Sequence, residues 1–409
     1  MTLADLKNRI RQSRWLRSVA IRLWRFSREF PRRIPLQRVP MLQRWSGRPL
    51  GCHLTVGDYL ARHPGRGWEK LISHGGSYER VRPIAAGPSL PACFDPPQTV
   101  TWEDERVIYL EGCRYWGEYG GSIIAHDEHL IGELSRDVWG LKLHAIFNRL
   151  KLPAIEPLAG LTAVISTPEA NANYSHWMMD LLPRLDLLAR AGYGPEKVDR
   201  YLVNLGNAPY ERETLTLAGI PEEKILPVSA ASHFRCERIV TASLRQHVWE
   251  RSLPKWVPGY LSGLVNPAPG NGGRRIYVSR RNCRFRRLKN EDEVLVFLES
   301  VGFECVDPGN LPVSKQAEIF RDASIIVAPH GAALTNLAFC MPDTAFIEIL
   351  PGTNSPKFYW TLCSCVRGRY LPILGSETST TDNLCRSDFS VPLPSLKSAV
   401  AVAIQARTD

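Results

Sequence analysis

At 409 residues, with 44% hydrophobic and 22% charged residues, the chain is long enough for two substantial cores and too apolar to be disordered. The net charge of +10 is concentrated in residues 1–48, which hold 13 Lys and Arg against Asp5 and Glu29, so the remainder is close to neutral; this weakens a nucleic-acid-binding reading, and no nucleic-acid partner is expected. No apolar run approaches the roughly 20 residues needed to span a bilayer, and arginines interrupt any signal-peptide core.

The basic arm carries an apolar stripe through Leu3, Leu6, Ile10, Leu16, Ala20, Leu23 and Phe30, beside Trp15 and Trp24. Amphipathicity alone leaves three readings open: binding to an anionic membrane surface, a solvated basic helix, or a helix docked on the body. The expected location is cytoplasmic, with the inner membrane face as the arm's candidate partner. Ten cysteines are scattered without a CxxC pair, which points to free thiols rather than a cysteine zinc site or a disulfide framework.

Residues 49–150 mix Gly, Pro and aromatic residues with short β-like pieces at 106–110 and 122–125, and their pattern assigns no fold. From residue 157, β-rich runs alternate with helical patterns, the signature of an α/β fold around a mostly parallel sheet. Strands are expected at 161–166, 200–204 and 237–242, and helices at 175–190 and 210–218. The Pro/Gly/Asn-rich stretch 265–273 reads as a linker. Beyond it a Rossmann-like series is expected: strand 275–279, helix 291–301, strand 303–306, helix 314–322, strand 324–328, helix 333–340, strand 344–350. Asn290 and Glu293 form a capping-box variant at the start of the second of these elements. A final apolar pattern at 396–404 suits a helix packing back on the first domain. The expected division is an arm at 1–48, an acceptor-side domain at 49–268, a donor-binding domain at 269–390 and a terminal helix at 391–409.

Four constellations can carry chemistry. In Asn173-Tyr174-Ser175-His176-Trp177, continued by Asp180 and Arg184, helical spacing puts His176, Asp180 and Arg184 on one face, while Pro183 should kink or restart the helix. His or a carboxylate can take the proton of an attacking hydroxyl, so His176 and Asp180 are both candidate bases; the bland alternative is a surface ion pair. Tyr277-Val278-Ser279-Arg280-Arg281, with Arg284, Arg286 and Arg287, delivers guanidinium groups at the carboxyl end of a strand, where they either neutralise a diphosphate or form a basic surface loop. In 325–336, a buried strand runs through Pro329-His330-Gly331-Ala332-Ala333 into Leu334-Thr335-Asn336, small residues that let backbone amides approach a phosphate. His330 there either donates to a phosphate or caps the strand. Glu348, inside an apolar strand, either accepts from a ribose diol or faces water at an edge. Neither GxGxxG nor GxxxxGK[ST] occurs in the C-terminal half, which sets aside a conventional dinucleotide enzyme or P-loop ATPase.

Taken in order, Asn173 to Trp177 with Asp180, Leu182, Pro183 and Arg184, Tyr277 to Arg280, Arg287 to Glu291, and Pro329 to Asn336 with Glu348 resemble glycosyltransferase family 61. The resemblance implies a GT-B-like α/β architecture, two Rossmann-like domains facing a cleft, and an inverting transfer from a nucleotide-sugar donor to a glycan or glycolipid acceptor, in capsule, lipopolysaccharide or exopolysaccharide assembly. By position it implies donor contacts from Ser279, Arg280, Arg287, His330, Gly331, Ala332, Asn336 and Glu348, acceptor-side contacts from Asn173 and Arg184, and catalysis by His176 and Asp180. The sequence holds no Asp-x-Asp, so no metal or other cofactor is expected. The rival reading is a catalytically inactive nucleotide- or glycan-binding module of an envelope assembly complex.

Overall fold

A computed structural model describes residues 40–87, 90–94, 98–135, 144–243, 252–352, 356–377 and 387–406. The expected amphipathic arm lies outside them as far as residue 39, after which Pro40–Ser46 is helical.

Ten strands form one mixed sheet: β1 (Gly51–His53), β2 (Gly67–Ser73), β3 (Glu105–Glu111), β4 (Arg114–Trp116), β5 (Ser122–Ile124), β6 (His129–Ile131), β7 (Glu156–Val164), β8 (Arg200–Val203), β9 (Ile225–Pro227) and β10 (His233–Ala242). Their order is β1-β6-β5-β4-β10-β7-β8-β9, with β3 also on β10 and β2 outside β3. The long β10 joins two styles of pairing. One edge runs parallel to β7, while the other is shared antiparallel by β4, along residues 233–235, and β3, along 238–242. Strands β7, β8 and β9 continue the parallel half. Several strands before residue 150 have only three residues, too few to show a period of two, which explains why sequence patterning assigns nothing there.

The helices that position the site are α1 (Val56–Arg62), α2 (Leu182–Arg190), α3 (Pro209–Leu217), α4 (Trp256–Val265), α5 (Glu291–Ser300), α6 (Val313–Arg321), α7 (Phe358–Cys365) and α8 (Leu393–Gln405). After α4 the chain turns through Asn266 at φ 47, within the expected linker.

The second sheet contains β11 (Arg274–Val278), β12 (Glu304–Val306), β13 (Ala323–Pro329), β14 (Ala345–Leu350) and β15 (Arg369–Leu374). It is parallel throughout in the order β12-β11-β13-β14-β15, so the chain reverses its direction of winding between β11 and β13. Ligands of open α/β sheets bind at the carboxyl ends of strands flanking such a reversal. Strand alternation divides the side chains between two cores. Ile276, Val278, Ile326, Ala328, Phe346 and Leu350 join residues of α2, α4, α6 and α7, whereas Tyr277, Ile325, Val327, Ile347, Ile349 and Leu371 pack with α5 and α8. The terminal helix therefore covers the second sheet, not the first half of the chain as expected. Its apolar face, Leu396, Ala399, Val400 and Ala403, matches the sheet face left open beside α5.

Three local readings also change. The helix expected at 175–190 is interrupted: Tyr174–His176 is one helical turn, Trp177–Leu181 a π-helical turn, and α2 then resumes with Pro183 in its first turn. Without an amide hydrogen, Pro183 cannot bond the Met179 carbonyl, and the wider turn accommodates that loss. The helix expected at 333–340 is a tighter 3₁₀ run, Ala332–Phe339. Asn290 does not cap α5 with its side chain; it instead exchanges hydrogen bonds with the backbone of Val391 at 2.9 and 3.1 Å.

Candidate functional site

The segment after β7 builds one wall. Asn173, extended at φ −146, accepts the Ser175 N–H at 2.9 Å and starts the turn that presents His176. His176 Nδ1 lies 2.7 Å from Asp180 Oδ2, and its Nε2 lies 3.0 Å from Glu169 Oε2. Glu169 reaches it from a left-handed backbone position, φ 63, and remains partly exposed. Burial pushes the His176 pKa down, but the two carboxylates outweigh it and raise the value to about 9. Glu169 is reciprocally held below the usual carboxylate range, first by its hydrogen bond with His176. At neutral pH His176 is thus an imidazolium between two anions. Asp180 Oδ1 has no hydrogen-bond partner among the described residues.

The opposite wall comes from the reversal point of the second sheet. Beyond β11, Glu291 Oε1 accepts from Tyr277 O–H and Ser279 O–H, both at 2.8 Å, and from the Arg280 N–H at 3.4 Å. Arg280 is buried and donates to the carbonyls of Phe285 and Arg286 at 2.9 and 3.2 Å, folding the basic loop back on itself. Burial holds its guanidinium below the ordinary arginine value. A Cβ on residue 331 would overlap Arg280 Nη1, so Gly331 is needed to let this side chain pass. At the end of β13, His330 Nδ1 lies 2.6 Å from Glu348 Oε1, and Tyr370 O–H donates to Glu348 Oε2 at 2.6 Å. His330 Nδ1 is thereby engaged by Glu348, and Nε2, on the far side of the ring, is turned away from that carboxyl group. The Tyr359 ring lies 5.1 Å from that of His330.

The two walls meet. Asn173, Ser175 and His176 line one cleft with Arg286, His330, Ala332, Phe358 and Tyr359, around about 410 Å³ of empty space that is partly open to solvent. Arg286, at φ 58, has an Nε buried without a partner among the described residues.

Several expected contacts lie behind the cleft. Glu348 is fully buried with both oxygens engaged, because it shares the inner face of β14 with Phe346 and Leu350; it holds His330 and is neither free for a ribose nor turned to water. Asn336, also fully buried, accepts from Tyr174 O–H and donates to Gln316, both at 2.7 Å, and so fastens the His176 turn to α6 rather than meeting a diphosphate. Arg184 donates to Ser166 O, Thr241 Oγ1 and Ala242 O, pinning the ends of β7 and β10 instead of facing an acceptor. Arg287 is exposed and pairs with Asp388 at 2.7 Å, away from the cleft lining. Ser279 and Arg280 shape the basic loop from behind the cleft. Gly331 gives Arg280 room, and Ala332 lines the opening.

Sequence reasoning missed Glu169 and Tyr359, and from the basic run that contains Arg286 it assigned Arg280 and Arg287 to the donor instead. Arg286 stands in the basic run beside the residues chosen, and Tyr359 in the aromatic triplet Phe358-Tyr359-Trp360, but Glu169 in Thr167-Pro168-Glu169 carries no signal until the turn brings it to His176.

Residues 174–347 match the family model described as Glycosyltransferase 61. An EGF domain-specific O-linked N-acetylglucosamine transferase of Drosophila melanogaster is 36% identical over 100 residues, covering 24% of this chain and 19% of that protein. A beta-1,2-xylosyltransferase of Oryza sativa subsp. japonica is 24% identical over 159 residues, 32% of this chain and 33% of its own. An alpha-1,3-arabinosyltransferase of the same plant is 32% identical over 80 residues, 19% and 14% of the two chains. The chain thus spans a third or less of each of these relatives.

Proposed function

The chain belongs to glycosyltransferase family 61 through residues 174–347, and on that premise we propose that it transfers a sugar from a nucleotide-sugar donor to a glycan or glycolipid acceptor. The observation that carries the reading is the single cleft in which His176 faces Arg286 and His330. Glycosyl transfer needs a proton acceptor on one side of the anomeric carbon and anion stabilisation on the other.

In the proposed step the acceptor hydroxyl oxygen bonds the anomeric carbon as the bond from that carbon to the diphosphate oxygen breaks. The electron pair leaves with the nucleoside diphosphate, which Arg286 and His330 hold. The hydroxyl proton passes to His176 Nε2. For that, the acceptor first displaces the partly exposed Glu169; with one anion gone the His176 pKa falls, the ring gives up its Nε2 proton to the departing Glu169 carboxylate or to solvent, and Asp180 keeps the neutral ring oriented through Nδ1. Attack opposite the leaving group inverts the configuration at carbon one. No metal enters this scheme, because guanidinium and imidazole groups neutralise the leaving diphosphate. The two sheets on either side of the cleft suit a GT-B-like arrangement. Assembly of capsule, lipopolysaccharide or exopolysaccharide, at the cytoplasmic membrane face through residues 1–48, belongs to the same proposal and is supported by the charge of that arm.

The test is transfer and donor hydrolysis with a panel of nucleotide sugars, with product configuration read by proton NMR. Turnover that yields an inverted product and falls at least ~100-fold in Arg286→Ala is expected. Tight nucleotide binding with no turnover across a broad acceptor set would instead establish a binding module.

A further inference from the structure

Four of the chain's ten histidines gather around one aspartate, far along the first sheet from the cleft. His53 ends β1, His129 begins β6, His63 follows α1, and His126 and Asp127 occupy the turn before β6. Strands β1 and β6 are neighbours at one edge of the ten-stranded sheet, whereas the His176 turn follows β7 nearer the other edge.

Asp127 Oδ2 is the focus. His53 Nε2 lies 2.8 Å from it, His63 Nε2 3.0 Å and His129 Nδ1 3.4 Å. His53 and His63 occupy the two lone pairs of this oxygen, while His129 Nδ1 also lies 3.0 Å from the Asp127 backbone carbonyl, so all three rings crowd one side of the aspartate. One ligand atom each from His53, Asp127 and His129 lies within 4.8 Å of the others. Two ligands about 2.0–2.1 Å from a tetrahedral zinc ion are separated by roughly 3.3 Å, close to the spacing here. The surroundings hold these groups in place. Asp127 Oδ1 accepts the His129 N–H at 3.2 Å, His53 is buried, and a Cβ on residue 51 would come within 2.7 Å of the His129 ring, so Gly51 makes its position possible. Behind them, Tyr59 O–H and His126 Nδ1 are 2.8 Å apart.

We propose that His53, Asp127 and His129 bind one zinc-type divalent cation, with His63 orienting the aspartate as an outer partner. Imidazole nitrogen with a single carboxylate is a borderline donor set that favours zinc, cobalt or nickel over magnesium or calcium. The ion would fasten β1 to β6 and to the turn before β6, a structural task separate from glycosyl transfer.

The experiment uses the full, tag-free chain stripped with chelator and titrated with Co²⁺ and Zn²⁺ in the absence of nucleotide sugar. One equivalent of Co²⁺ should bind with intense ligand-field bands of a low-coordinate site, Zn²⁺ should displace it, and Zn²⁺ should raise the melting temperature. His53→Ala with His129→Ala should abolish the bands, and His63→Gln should weaken affinity ~10–100-fold while leaving them in place. An unchanged aqueous Co²⁺ spectrum in the wild-type chain, or bands retained in the double variant, overturns the proposal. If the double variant does not fold, the wild-type spectrum decides alone.

Discussion

The two walls of the cleft carry the same unit in different settings. Each presents a histidine whose Nδ1 is held by a carboxylate, His176 by Asp180 at 2.7 Å and His330 by Glu348 at 2.6 Å. Glu348 is sealed inside the second sheet and fully bonded, whereas Asp180 is partly accessible and keeps one oxygen unpartnered among the described residues. His176 has a second carboxylate on its other nitrogen, and His330 has an aromatic ring beside it. A carboxyl group sealed in the sheet fixes the ring in one orientation, as suits a wall that holds a ligand in place. A carboxylate on an irregular turn, opposed by a displaceable one, suits moving a proton.

This contrast is broken most sharply by deleting the His176 ring. His176→Ala should lower transfer by ~10²–10⁴ under saturating donor while donor affinity stays within a few-fold, because positioned acid–base groups contribute rates of that order. Single-turnover kinetics with equilibrium nucleotide binding checks this, and an equal loss in both would place His176 on the donor wall. The partner carboxylates should separate in the opposite way. Glu348→Leu strands His330 Nδ1 and Tyr370 O–H, each buried, at about 1–3 kcal/mol apiece, so denaturant melts should show a large loss of stability. Asp180→Asn should cost less stability than Glu348→Leu and much more activity. Next comes Gly331→Ala, whose methyl must displace the buried Arg280 guanidinium; overpacking of this kind costs about 1–3 kcal/mol, with weaker nucleotide binding as the donor loop shifts.

The reach of the sequence follows the same division. Apart from the three-residue β12, the strands and helices of the second sheet are long enough to show their periods, and small residues after β13 mark the reversal point without any tertiary information. His176 and His330 each stand in a compact local motif, and both line the cleft, with Asp180 bonded to the first of them. The roles of Glu348, Asn336 and Arg184 were not legible, since polar residues at the right motif positions look alike whether they face a ligand or another element. Only packing shows that Asn336 spans from Tyr174 to Gln316 and that Arg184 ties two strand ends. Glu169 and the Asp127 histidine cluster were illegible for a further reason: their partners are brought together by turns and by strands of three residues, below the length at which pattern carries information.

Glu169→Gln makes the smallest change and asks the finest question. In the wild-type chain His176 is raised from its ordinary 6.5 to about 9, so the stability it contributes is fully present below about 6.5 and is lost as pH rises through about 9. Burial opposes that rise, and removing one of the two anions lets burial weigh more, so the His176 pKa must fall. Melting temperature followed against pH should therefore begin its alkaline decline earlier in the variant, and the His176 ring resonances should titrate at lower pH. If Glu169 is the anion displaced by the acceptor, the variant's transfer rate at neutral pH should hold or rise, since more of its imidazole is already neutral. If the rate instead collapses together with His176→Ala, Glu169 takes the proton itself, and the base moves from the imidazole to the carboxylate across from it.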